Sequence, residues 1–138
     1  MKSQLSLEFL IILAALALFL LAFLPVYAQA QKNAKEKLVG QAQALAFSQI
    51  TGLAAQAETL GRQNSLSAEI RFQADSTSLE YDGQAGILKM IYSLSGKTLT
   101  LEEKLSFPLD VPQAEFEKGA YTATASFEET VSIQLVQE

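Results

Sequence analysis

Between Phe9 and Ala28 the chain reads FLIILAALALFLLAFLPVYA, roughly 20 residues without a charge, enough for a helix to cross a hydrocarbon layer of about 30 Å. The rest is ordinary soluble sequence, so this run decides what the chain can be. A permanent anchor, a cleavable secretory signal and a segment buried in an assembly are the readings to separate.

The helical pattern does not stop at Ala28. The stretch QAQKNAKEKLVGQAQALAFSQITGLAAQAETLGR is rich in Ala, Gln, Leu, Lys and Glu, all good helix formers. Leu38, Ala42, Leu45, Ala46, Ile50, Leu53, Ala57 and Leu60 recur at steps of three and four, which predicts one apolar face. Gly61 and Asn64 are stop signals. The expectation is one helix from Leu5 to Arg62, about 85 Å long at about 1.5 Å per residue. Pro25 removes a hydrogen bond inside it and is expected to kink it. A helix this long exceeds what one small domain needs, so its first half must be buried in something other than its own chain.

The remaining residues change period. Ala68, Ile70, Phe72 and Ala74 alternate with polar neighbours, and so do Leu88, Met90, Tyr92 and Leu94. Leu99, Leu101, Leu105 and Phe107 form a third set, Tyr121, Ala123, Ala125 and Phe127 a fourth, and Val131, Ile133 and Leu135 a fifth. Period two with one polar face predicts antiparallel strands that bury a single side. Turn chemistry lies at Asp82-Gly83, Ser95-Gly96 and Lys118-Gly119, and Phe107–Glu117, with Pro108 and Pro112, reads as a loop or edge crossing. Such a sheet cannot bury its face alone, and the amphipathic Leu38–Leu60 segment is its natural partner. The fold class is therefore α+β: a long kinked N-terminal helix, part membrane span and part amphipathic, with a C-terminal antiparallel β-sheet head packed on it.

Composition narrows the function. With 15 acidic against 10 basic residues, the chain carries nothing that could neutralise a run of phosphates, so no nucleic-acid partner is expected. Cysteine is absent, removing disulfides and cysteine-type zinc sites, and histidine is absent, removing the commonest general base and metal ligand. No catalytic residue, cofactor or metal site is expected. Glu102-Glu103 and Glu128-Glu129 are adjacent carboxylates, and neighbours on a strand point to opposite faces, so neither builds a dyad. Asp75, Glu80 and Asp82 match no calcium-loop spacing, and turn chemistry accounts for Asp82. Lys32, Lys35 and Lys37 could touch lipid headgroups or form a solvated helix face. No N-linked glycosylation sequon occurs.

The N-terminus, MKSQLSLEFLIIL, carries a more specific pattern. Gln4, Ser6, Glu8 and Phe9 follow Q-x-S-x-E-(Y/F), which resembles the class III signal of archaeal type IV pilin-like proteins. The resemblance implies cleavage between Ser3 and Gln4 by a prepilin peptidase, with the apolar run retained. It divides the chain into a cleaved leader (1–3), a hydrophobic helix forming the membrane anchor and filament core (4–30), an amphipathic helix (31–64) and a β head (65–138). The leader Met-Lys-Ser is short, with one basic residue. The implied function is a structural subunit of an extracellular type IV pilus-like filament, polymerising through its N-terminal helix. The implied partners are other copies of the chain in a helical filament, the peptidase, and an assembly platform with its ATPase. The precursor would sit in the membrane with its C-terminal domain outside, and the mature protein in the pilus. Gln4 and Glu8 would serve assembly, the Glu8 carboxylate pairing with the new amino group of Gln4 on a neighbouring subunit. Glu8 also suits the first helical turn, where negative charge complements the helix dipole.

The alternative is a secreted or membrane-anchored accessory or binding protein with no filament. Ala28-Gln29-Ala30 resembles a signal-peptidase site, which would start the mature chain at Gln31. Against it stand Glu8 in the supposed basic region and a helix that continues through the cleavage site, where signal cleavage needs extended chain. The flanking charges, Lys2 on one side against Lys32, Lys35 and Lys37 less Glu36 on the other, would alone keep the head inside the cell. The pilin resemblance implies the opposite, through a dedicated recognition step.

Overall fold

The computed structural model describes residues 2–138, with side chains from Ser6 onward. The fold is α+β. One helix, α1 (Lys2–Leu60), is followed by six strands: β1 (Ser65–Asp82), β2 (Ile87–Leu94), β3 (Lys97–Lys104), β4 (Leu109–Asp110), β5 (Glu115–Phe127) and β6 (Val131–Gln137). Two compact units divide the chain, residues 1–37 and 38–138.

Helix α1 ends as its sequence requires. Gly61 adopts φ +76°, a left-handed conformation that glycine enters without steric cost, and its N–H donates to the Ala57 carbonyl at 3.2 Å. Asn64 Nδ2 donates to the Leu60 carbonyl at 2.9 Å, so another end-of-helix acceptor is satisfied.

In the unit formed by residues 38–138, the sheet order is β3-β2-β1-β5-β6-β4, antiparallel throughout except for the parallel β4–β6 pair. Its inner face is the one the alternation predicts: Leu88, Met90, Tyr92 and Leu94 on β2, Tyr121, Ala123 and Ala125 on β5, and Val131 and Ile133 on β6 are all buried. Phe72, Phe116 and Tyr121 meet there with ring centroids 5.3–5.8 Å apart, in tilted and edge-to-face arrangements. The Tyr121 hydroxyl donates to the Glu117 carbonyl at 3.0 Å, so its polar end is not left unpaired.

The helix covers this face with a stripe different from the expected one. Gln43, Ala46, Phe47, Ile50, Thr51, Ala54 and Ala57 are buried, whereas Leu38, Leu45 and Leu60 are 67%, 62% and 53% exposed. The stripe is rotated because alanines, not leucines, allow the backbone to approach a sheet whose inner face already carries Phe72, Tyr121 and Met90.

Strand β1 holds the main irregularity. It buries Ile70, Phe72 and Ala74, then changes phase and buries Thr77 and Leu79. Its pairing with β5 slips between Phe72–Gly119 and Ser76–Glu117, so four steps on β1 oppose two on β5. This is a bulge, beyond which β1 resumes pairing with β5 at Ser76–Ser78 while pairing with β2 on its other side. Lys118-Gly119, expected to turn, instead lies inside β5 opposite that bulge. The turn between β5 and β6 falls at Glu128–Thr130. Leu105 and Phe107 lie beyond the end of β3, half-buried but outside any strand, and the Phe107–Glu117 segment contains β4 and the start of β5.

Two turns are fixed by backbone geometry. Ser95 and Gly96 have φ +53° and +76°, the two-residue turn with both central residues left-handed that matches strand twist. After β1, Asp82 Oδ1 accepts from the Gln84 and Ala85 N–H groups at 2.9 and 3.1 Å. Gly86, at φ +68°, then exchanges backbone contacts with its surroundings, its N–H donating to Asp82 O and its carbonyl accepting from Leu105 N–H.

Candidate assembly surface

From Phe9 to Ala28 the helix has no polar side. Successive residues on a helix are rotated by about 100°, so the run Phe9-Leu10-Ile11-Ile12 already reaches most of the way round the axis. All four are more than half exposed, as are Leu16, Phe19, Leu21, Phe23 and Val26 further along. A surface helix of a soluble domain carries an apolar stripe and a polar face, whereas one that is apolar all round belongs in lipid or among other helices. By length and composition α1 can cross a membrane, and none of that window is buried within the chain. Phe19 and Phe23, four residues apart, stack at 5.8 Å.

The borders of the run are marked. Glu8 stands at its start in helical conformation and is exposed, with no ion-pair partner among the described residues. Ser3 and Gln4, the expected cleavage pair, lie outside the residues whose side chains are described. Pro25 sits inside α1, which continues past it without a break. Among the described residues, side-chain polar contacts begin beyond it, with Gln29 Nε2 donating to Asn33 Oδ1 at 3.0 Å and Lys32 lying 4.0 Å from Glu36. Ala28-Gln29-Ala30 is helical.

A second feature, concealed by the stripe expected from Leu38 and Leu45, belongs to the C-terminal unit. From Leu38 to Ala57 the helix contains no charged residue. Its solvent side presents Leu38, Gln41, Leu45, Gln49 and Gln56. Solvent-facing helices normally carry charges, and this one offers leucines and amides instead. The signal was available: Gln43 falls in phase with Ala46, Ile50, Ala54 and Ala57, and treating it as part of the stripe would have turned Leu38 and Leu45 outward.

Elsewhere several ionisable groups have local partners. Glu102 lies 3.2 Å from Lys89 across the β2–β3 pair, Asp75 Oδ2 accepts from Ser95 N–H at 3.3 Å, and Glu69 holds Arg71 at 2.9 Å. The Ala85 N–H, followed by that of Gln84, holds the Asp82 carboxyl below the usual carboxylate range. A recess of about 530 Å³ between Ser78–Tyr81 and Leu109–Glu115 is open to solvent and edged by Glu80, Asp110 and Glu115. Among the described residues no group of three or more acidic side chains is arranged to hold a metal ion. No family model matches the chain, and no curated protein or solved structure matches it.

Proposed function

We propose that this chain is a structural subunit of an extracellular filament of the type IV pilus kind, assembled through its N-terminal helix after removal of residues 1–3. The observation that carries this reading is the N-terminal helix, apolar on every side and uncovered by its own chain, leading into a C-terminal unit that closes its core from residues 38–138. Transfer of such a helix from lipid to a bundle of identical helices exchanges one apolar environment for another, so packing and polar contacts must set the register. Glu8 supplies the charge at the start of the span, and the amino group of a processed Gln4 on a neighbour would complement it. A prepilin peptidase, an assembly platform and its ATPase are the partners this reading requires. The uncharged flank of Leu38–Ala57 supports it, because that flank suits close approach of further protein better than water.

The test is to isolate surface filaments from the native cell and determine the subunit's N-terminus by intact mass. A filament subunit beginning at Gln4 is the expected result. Soluble monomer beginning at Gln31 would establish the secreted alternative instead.

A further inference from the structure

From the free edge of β3 we infer that this strand is a self-pairing surface, on which a second copy of the chain adds its own β3 antiparallel, centred on Thr100. The surface lies within residues 97–104 and does not depend on how the apolar helix is used.

β3 ends the sheet and is paired with β2 along all eight of its residues, without a bulge or a proline. Its other side is an uninterrupted row of backbone donors and acceptors, the template on which another strand adds. The opposite border is less regular: the two-residue β4 covers only Val131 and Ser132 of β6 and leaves Ile133–Gln137 without a neighbour on that side.

Backbone geometry restricts the possible registers. The Ser95-Gly96 turn closes on Leu94–Lys97, which therefore exchanges backbone hydrogen bonds. Alternation along the ladder then turns the N–H and C=O of Thr98, Thr100 and Glu102 away from β2, toward the open side. A second β3 must present the same residues, so Thr100 faces Thr100 or the register shifts by two.

The side chains choose among these registers. With Thr100 on the two-fold axis, Leu99 opposes Leu101 of the other copy, Lys97 opposes its Glu103, and Thr98 opposes its Glu102. Each contact occurs twice. Leu99, 43% exposed beside the buried Tyr92, gains an apolar neighbour, and the two symmetry-related Lys97–Glu103 pairs are complementary in charge. Shifting one way sets Lys97 against Leu101, and shifting the other sets Leu99 against Glu103. Charges on an edge strand usually forbid pairing altogether. Here they favour the register centred on Thr100, the one that sets Lys97 against Glu103. The result is an isologous dimer with a continuous sheet across the two-fold axis.

The chain has no cysteine, so single cysteines report the geometry directly. Facing residues of a hydrogen-bonded pair lie about 5.5 Å apart, within disulfide range, whereas the two Thr98 positions would be separated by about 13 Å along the strands. Full-length Thr100→Cys and Thr98→Cys proteins in detergent micelles are oxidised mildly, with circular dichroism confirming that each is folded. Thr100→Cys is expected to form disulfide dimers about tenfold faster than Thr98→Cys, because only its thiols face each other. Adding Lys97→Glu should suppress that dimer, and adding Lys97→Glu together with Glu103→Lys should restore it. Equal rates for the two cysteines would indicate random collision or association through the apolar helix, and would overturn the inference. So would the absence of any dimer, or a Thr100→Cys dimer insensitive to the charge changes.

Discussion

Gln43, fully buried on helix α1, meets Thr77 of β1 at 3.2 Å, and in the amide orientation that satisfies its surroundings the same oxygen accepts from the Ala74 N–H at 2.8 Å and the Gln73 N–H at 3.3 Å. Those two N–H groups belong to the bulge, where β1 has lost its register with β5. A helix side chain thus does what a neighbouring strand does elsewhere in the sheet, satisfying buried backbone donors that would otherwise be orphaned.

Replacing Gln43 by leucine should therefore destabilise the C-terminal unit despite the gain in hydrophobicity. The buried N–H groups of Gln73 and Ala74 would lose their acceptor, at a cost of about 1–3 kcal/mol. Thr77→Val removes only the hydroxyl partner and should cost about 1 kcal/mol. Urea unfolding followed by circular dichroism measures both, and a Gln43→Leu protein as stable as the parent would show that water can reach the bulge.

Asp82 gives the turn after β1 a pH dependence with a definite sign. Its folded-state carboxyl titrates below its unfolded value, because the charged form accepts from the Ala85 and Gln84 N–H groups. The contribution is fully present above the unfolded value, near pH 4, and is lost as pH falls through the lower folded value. In Asp82→Asn, which keeps the side-chain oxygen but cannot titrate, the fall in stability across that acidic window should be shallower. Parallel pH–stability curves for the two proteins would contradict this.

The C-terminal unit should fold without the span. Residues 32–138 contain every buried side chain of the core, from Gln43 to Ile133. The corresponding fragment is expected to be soluble and to show mixed helix and strand signals with cooperative unfolding. An aggregated or unstructured fragment would place part of its stability in the assembly.

Replacing Glu8 by alanine makes the span more apolar, so membrane insertion should be unaffected. Cleavage before Gln4 should be largely preserved. The contact proposed to hold neighbouring subunits in register would be gone, and few or no filaments are expected. Electron microscopy of material sheared from cells decides this, and a normal filament yield would reduce Glu8 to a residue that merely begins a helix.

Elements whose pattern is local could be read from the chain alone. The uninterrupted run Phe9–Ala28 could only be a helix that its own chain does not cover, since nothing in the remaining residues is large enough to enclose it. Strand β2, the Tyr121–Ala125 part of β5 and the start of β6 were legible because alternate residues there are buried, and the fold class followed from them. Tertiary structure decided what depends on distant partners. Helix periodicity defines a stripe, but which rows face the sheet was set by the bulk already present there, and alanines and Gln43 were chosen over Leu38 and Leu45. Lys118-Gly119 carries turn chemistry and yet lies inside a strand, because the bulge opposite it absorbs the irregularity. That bulge interrupts the pairing of β1 with β5 and is defined only by the two strands together, and its N–H groups are satisfied by a residue about thirty positions earlier.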